Sequence, residues 1–114
     1  MYTVEYFIQK FEAIEEKEWT IGKFYDGITN THCVIGHCNS AEREAIYDIF
    51  GKHSTSTPVI INDGYNTNYQ QSTPKQRILA ALKDIKARID FEKEQEVAVE
   101  LVASCVPCIV AASI

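Results

Sequence analysis

A chain of 114 residues, 46% of them hydrophobic and 11% aromatic, carries enough apolar volume for one core and falls within the size of one domain, which excludes a largely disordered polypeptide. A net charge of −5 excludes nucleic-acid binding driven by bulk charge, because such binding rests on cationic neutralisation of phosphates. The densest basic stretch, Lys75, Arg77, Lys83, Lys86 and Arg88, is interleaved with Asp84 and Asp90 and reads as a solvated helix face, so no nucleic-acid partner is expected.

The N-terminal residues show no basic region followed by an apolar run, so no secretory signal is read there. A cytoplasmic, reducing setting with free or metal-bound thiols is the expectation for the four cysteines.

In chain order, Val4, Phe7, Ile8, Phe11 and Ile14 recur at helical spacing with charged residues between them, which predicts an amphipathic first helix capped by Thr3. Trp19 follows as a core anchor. Residues 20–25 are β-prone, and Asp26-Gly27 signals a turn into Ile28-Thr29, so a short hairpin or extended loop is expected. Residues 33–37 suit a separate helical turn. Asn39 or Ser40 caps a second helix over residues 41–50, with Ala45, Ile46, Ile49 and Phe50 inward and Gly51 as the stop.

Residues 53–58 are polar and read as a loop, and the apolar run 59–61 reads as a short strand ended by Asn62-Asp63-Gly64. An irregular, tyrosine-containing segment leads to Ser72-Thr73-Pro74, a strong helix start, and Ile78, Ala81, Leu82, Ile85 and Ile89 continue a third helix. Residues 91–114 form a C-terminal extension: a charged joint, then an apolar stretch with no charged side chain over residues 101–114. The uncharged run 101–114 is shorter than the roughly 20 apolar residues of a spanning helix and contains Pro107, leaving peripheral membrane contact through residues 101–114 as one reading of it.

Four features occur in a definite order: the first helix leading to Trp19, the Cys33-Val34-Ile35-Gly36-His37-Cys38 stretch, Ile61-Asn62-Asp63-Gly64, and the lead into Ser72-Thr73-Pro74-Lys75-Gln76-Arg77. Together they resemble a family of small, functionally uncharacterised bacterial and phage-borne proteins with a tryptophan, a Cys-x-x-Gly helix start and an Asn-Asp before the last helix. The resemblance covers about residues 1–88. It implies a small, mainly helical intracellular domain with no established activity or cofactor, and residues 91–114 depart from its pattern.

The chemistry-bearing residues concentrate around Cys33. If residues 33–38 are helical, Cys33 and His37 share a face while Cys38 points away from Cys33, which disfavours a disulfide between the two thiols. Cys33 with His37 is half of a zinc site or a thiol–imidazole pair, and a metal needs further ligands from His32, His53, Cys105 or Cys108. Cys105-Val106-Pro107-Cys108 has a redox spacing but lacks the following strands of a thioredoxin-like fold. Asn62 and Asp63 with Tyr65 and Tyr69 are candidates for a protein-contact surface, the tyrosines because they supply area and a hydrogen bond at low entropic cost.

The expectation is an α+β single domain over residues 1–90, small and mainly helical, with three helices and short extended segments near residues 21–25 and 59–61. The leading function is a non-enzymatic accessory protein acting through contacts with a protein partner, with no cofactor. The alternatives are a thiol-dependent protein that binds zinc or exchanges disulfides through Cys33, His37, Cys105 and Cys108, and membrane association through residues 101–114.

Overall fold

The computed structural model describes residues 2–54, 56–65 and 67–113, with side chains described through residue 95. Helix α1 (Val4–Glu12) begins where the Thr3 hydroxyl accepts the Tyr6 N–H at 3.1 Å, and its buried stripe is Val4, Phe7 and Phe11. A 3-10 turn, Glu16–Glu18, carries the chain to Trp19. Strands β1 (Tyr25–Asp26) and β2 (Thr31–His32) form a minimal antiparallel hairpin in which Tyr25 faces His32 and Asp26 faces Thr31.

Helix α2 (Ser40–His53) starts with a reciprocal cap: the Asn39 side chain accepts the Glu42 N–H and the Glu42 carboxylate accepts the Asn39 N–H, each at 2.8 Å. A six-residue helix α3 (Pro58–Asp63) follows, and α4 (Pro74–Ser113) completes the chain. The Thr73 hydroxyl accepts the Gln76 N–H at 3.2 Å, which satisfies a first-turn donor of α4.

The architecture is a small, mainly helical α+β domain with one two-stranded hairpin, as composition and periodicity predict. Helix α4 packs against α1 and α3, and the core joins Phe7, Phe11, Trp19, Ile46, Phe50, Ile61, Ile78, Leu82 and Ile85. Burying each such side chain stabilises the fold by about 1.5–3 kcal/mol.

Three local expectations are corrected. The run 59–61 is helical: the Thr57 hydroxyl accepts the Ile60 N–H, Pro58 occupies the first turn, and Gly64 at φ 75° closes α3 by donating its N–H to the Ile60 and Ile61 carbonyls. Gly51 does not stop α2, which runs on to His53 because nothing demands a left-handed conformation there. The hairpin is displaced along the chain, with strand pairing at Tyr25–Asp26 and a return at Thr31–His32 after a four-residue loop. There the Asp26 carboxylate accepts the Ile28 and Thr29 N–H groups and holds the turn.

The third helix does not end near Ile89. It passes through the charged joint without a break and continues to Ser113, giving 40 residues and about 60 Å of helix. Among the described side chains, Ile89 is the last of α4 that packs against the core, and Phe91 is exposed.

Candidate functional site

The stem of the hairpin is built around one side chain. Asn62, fully buried at the end of α3, accepts the Val34 N–H through Oδ1 at 3.0 Å and donates through Nδ2 to the Thr20 carbonyl at 2.9 Å. Its neighbour Asp63 accepts the Gly22 N–H at 3.0 Å and a second bond from Asn62 Nδ2. Both ends of the hairpin are therefore held by α3.

Arg77 of α4 fixes α3 in turn. Its guanidinium donates to the carbonyls of Ile61 at 3.1 Å, Asn62 at 2.7 Å and Gln71 at 2.8 Å, so a buried cation completes the orphan acceptors at the C-terminus of α3. A Cβ on Gly64 would lie 3.1 Å from that guanidinium, and the positive φ there already favours glycine.

Residues 33–37 form the expected helical turn, with the His37 N–H donating to the Cys33 carbonyl at 3.0 Å. The turn sits against the hairpin because Gly36 lacks a side chain: a Cβ there would overlap the Phe24 carbonyl oxygen and lie 3.1 Å from the Cβ of His32. That same Phe24 carbonyl accepts the Cys33 N–H at 3.0 Å. Gly36 therefore serves close packing against a hairpin backbone.

The two imidazoles meet in a file of rings. His37 stacks obliquely between Trp19, at a centroid distance of 4.8 Å, and His32, at 5.2 Å, and His32 continues to Tyr25 at 4.8 Å. Trp19 makes an edge contact with Phe11 at 5.5 Å and anchors this file in the core. Burial, and then the neighbouring His32, hold the His37 imidazole below its ordinary pKa, against the opposing pull of Glu18. The buried Nε2 of His37 has no hydrogen-bond partner among the described residues, which fits a ring kept neutral.

The thiols are placed differently from a reactive pair. Cys33 is 1% exposed inside the core, and Cys38 donates to the Val34 carbonyl at 3.3 Å. Burial, reinforced by the Glu42 carboxylate, pushes the Cys38 thiol up to about 12, which removes the thiolate that nucleophilic or redox chemistry requires. Cys33 and Cys38 are free thiols. Among the described residues no three side chains of His, Cys, Asp or Glu are grouped to hold a metal ion. The side chains of Cys105 and Cys108 lie outside the described residues.

Of the contact candidates, Asn62 is corrected: its side chain is spent inside the fold and presents nothing to solvent. Asp63 is partly buried and engaged with Gly22. Tyr69 is partly buried and donates to Asp84 at 2.9 Å. Tyr65, 74% exposed, is open as expected.

Sequence pattern alone missed the apolar surface beside it. Ile28 is 95% exposed at the hairpin loop, and Ile21, Phe24 and Tyr25 are about half exposed along its arms. The β-prone composition of residues 20–25 points to a hairpin or extended loop and not to which side chains it leaves exposed, and the strand pairing is only two residues long. The Gly22–Asp63 hydrogen bond ties this surface to the loop carrying Tyr65.

No family model matches the chain, and neither the curated proteins nor the solved structures contain a match to it. No described helix is long and apolar enough to cross a membrane.

Proposed function

We propose that the chain is a cytoplasmic accessory protein of bacterial or phage origin that acts by binding another protein through its hairpin face. The observation that carries this reading is the exposure of Ile21, Phe24, Tyr25, Ile28 and Tyr65 on a hairpin and an adjoining loop. Exposed apolar groups gathered on one structural feature are characteristic of contact surfaces, whereas scattered single ones are ordinary. The rest of the hairpin is firmly constructed: Asn62, Asp63 and Gly36 hold its base. A preorganised base lowers the ordering cost of docking.

The thiol reading receives no comparable support. Cys33 is sealed in the core and the Cys38 thiol stays protonated at neutral pH.

The test is a photocrosslinking amino acid placed at Phe24 and, as a control, at Tyr47 on the exposed side of α2, in cells that naturally contain the protein. A discrete protein adduct from position 24, missing from position 47 and lost on Ile28→Asp, is the expected result. No adduct from position 24, or the same adduct from both positions, rejects the hairpin as the contact face.

A further inference from the structure

On the face formed by the end of α2, the segments before α3 and before α4, and the first half of α4, a small recess of about 140 Å³ is lined by Ser54, Ser56, Thr67, Asn68, Tyr69 and Arg88. Arg88 is the only ionisable side chain among them that carries a charge at neutral pH. Its Nη1 donates to the His53 carbonyl at 2.7 Å, which pins the guanidinium at the C-terminus of α2. Among the described residues it forms no ion pair, although Lys10, Lys17, Lys23, Lys52, Lys83 and Lys86 all do. Arg43 and Arg77 likewise form no ion pair among the described residues, but they are partly or fully buried against backbone carbonyls, whereas Arg88 is exposed.

The remaining walls are rich in donors. The Ser54 hydroxyl oxygen accepts the Ser56 N–H at 3.3 Å, and the Thr67 hydroxyl oxygen accepts the Tyr69 N–H at 3.2 Å. Each hydroxyl is thereby turned so that its own hydrogen remains available as a donor. The nearby carboxylate, Asp84, is held by the Tyr69 hydroxyl at 2.9 Å. Tyr69 is held in its phenolic form, its pKa raised by burial and by Asp84. At about 30 Å³ per water-sized group, the recess has room for four or five heavy atoms, the size of a phosphate group.

We propose that this recess binds a small oxyanion of the phosphate or phosphate-monoester class, with Arg88 as the charged anchor and Ser54, Ser56 and Thr67 as hydroxyl donors. Arginine suits the role because its planar fork matches two oxygens at once. The site is separate from the hairpin face and does not depend on the function assigned to that face.

The test is an amide and arginine-Nε NMR titration of the full chain with inorganic phosphate and, separately, with glycerol phosphate, both against chloride at matched ionic strength. Saturable shifts at Ser56, Thr67, Asn68 and Arg88, with a Kd of about 1 mM or tighter, are expected. Arg88→Gln should weaken binding by about tenfold or more, and Arg88→Lys by less, because it keeps the charge and loses the fork. Since Arg88 also caps α2, the amide spectrum of each variant is compared with wild type, and Ser56→Ala gives a second variant that leaves the cap intact. Equal affinity for the two probes supports a site that reads the phosphate group alone, and tighter binding of glycerol phosphate supports an ester ligand. Shifts that do not saturate with either probe, or that persist unchanged in both Arg88→Gln and Ser56→Ala, overturn the assignment.

Discussion

Asn62 holds the backbone of Val34, 28 residues away, through a 3.0 Å hydrogen bond from the Val34 N–H to its carboxamide oxygen. Its amide nitrogen reaches the Thr20 carbonyl on the opposite arm, so one buried side chain satisfies both stems of the hairpin. Asn62→Ala leaves a donor and an acceptor buried without partners, and the expected loss is about 3 kcal/mol of unfolding free energy. Urea denaturation followed by Trp19 fluorescence measures it. Asn62→Asp is also expected to destabilise the protein, because a carboxylate cannot donate to the Thr20 carbonyl. A variant at this position with wild-type stability would show that the hairpin is held by other contacts.

Gly36→Ala forces a methyl group into the Phe24 carbonyl, which already accepts the Cys33 N–H. Backbone must move, and the expected cost is about 2–3 kcal/mol. The disturbance should be local: amide exchange at Cys33 accelerates, while the centre of α4 keeps its protection. Gly51→Ala is the internal control. Nothing lies within 4 Å of a Cβ there and the glycine sits inside α2, so this substitution should be neutral or stabilising by about 0.5–1 kcal/mol.

These two glycines also show what was legible in the sequence and what was not. The amphipathic spacing of α1 and the Thr73-Pro74 start of α4 are local signals, and the structure follows them. Val59-Ile60-Ile61 is too short for periodicity to separate a strand from a buried helical turn, and the deciding features are the flanking Thr57-Pro58 start and the Gly64 stop. The partners of Asn62 lie 28 and 42 residues away, and no local pattern encodes such pairings. A turn composition at Asn62-Asp63-Gly64 was readable, but its use as a clamp was not. Likewise Gly36 stood out beside Cys33, but its need for space depends on the Phe24 carbonyl, which only the hairpin brings near.

His37 gives the fold a pH dependence whose sign follows from its depressed pKa. Burial first, then His32 and Lys10, disfavour the imidazolium, while Glu18 partly opposes them. The unfolded chain therefore binds this proton more readily than the folded one. The stability contribution is complete above the ordinary histidine value of about 6.5, and it declines as pH falls through that value toward the lower folded-state value. Asp26 stays out of this window, because its carboxylate is held below its ordinary range chiefly by the Ile28 N–H. Denaturation midpoints should fall between about pH 7 and pH 5, and His37→Gln should flatten that slope. An unchanged slope in the variant would assign the dependence elsewhere.

The buried thiols should resist alkylation. Cys33 and Cys38 are 1% and 5% exposed, and the Cys38 thiol is raised to about 12, so almost none of it is thiolate near neutrality. Brief treatment with iodoacetamide at about pH 8, near the ordinary thiol pKa, followed by peptide mass spectrometry, should leave both positions unmodified in native protein and label both in urea. Rapid native labelling of Cys38 would restore the thiol chemistry that its surroundings argue against.

Glu42 is the last residue whose substitution separates two roles. It is 2% exposed, it completes the reciprocal cap of α2 with Asn39, and it binds α1 by accepting the Tyr6 hydroxyl at 2.5 Å and meeting the Lys10 ammonium at 3.1 Å. Burial alone would raise its pKa, but the Tyr6, Asn39 and Lys10 donors together hold it below the usual carboxylate range. Tyr6 responds in the opposite direction, pushed up to about 12 by the hydrogen bond to Glu42. Asn39→Ala removes one half of the cap, the side-chain acceptor of the Glu42 N–H, and should cost about 1 kcal/mol. Glu42→Ala removes the other half, the acceptor of the Asn39 N–H, together with the tie between the helices, so about 2–3 kcal/mol is expected. Denaturant unfolding of both variants and of the double variant checks the difference. Equal losses in the two single variants would mean that the contacts to Tyr6 and Lys10 add nothing to the fold.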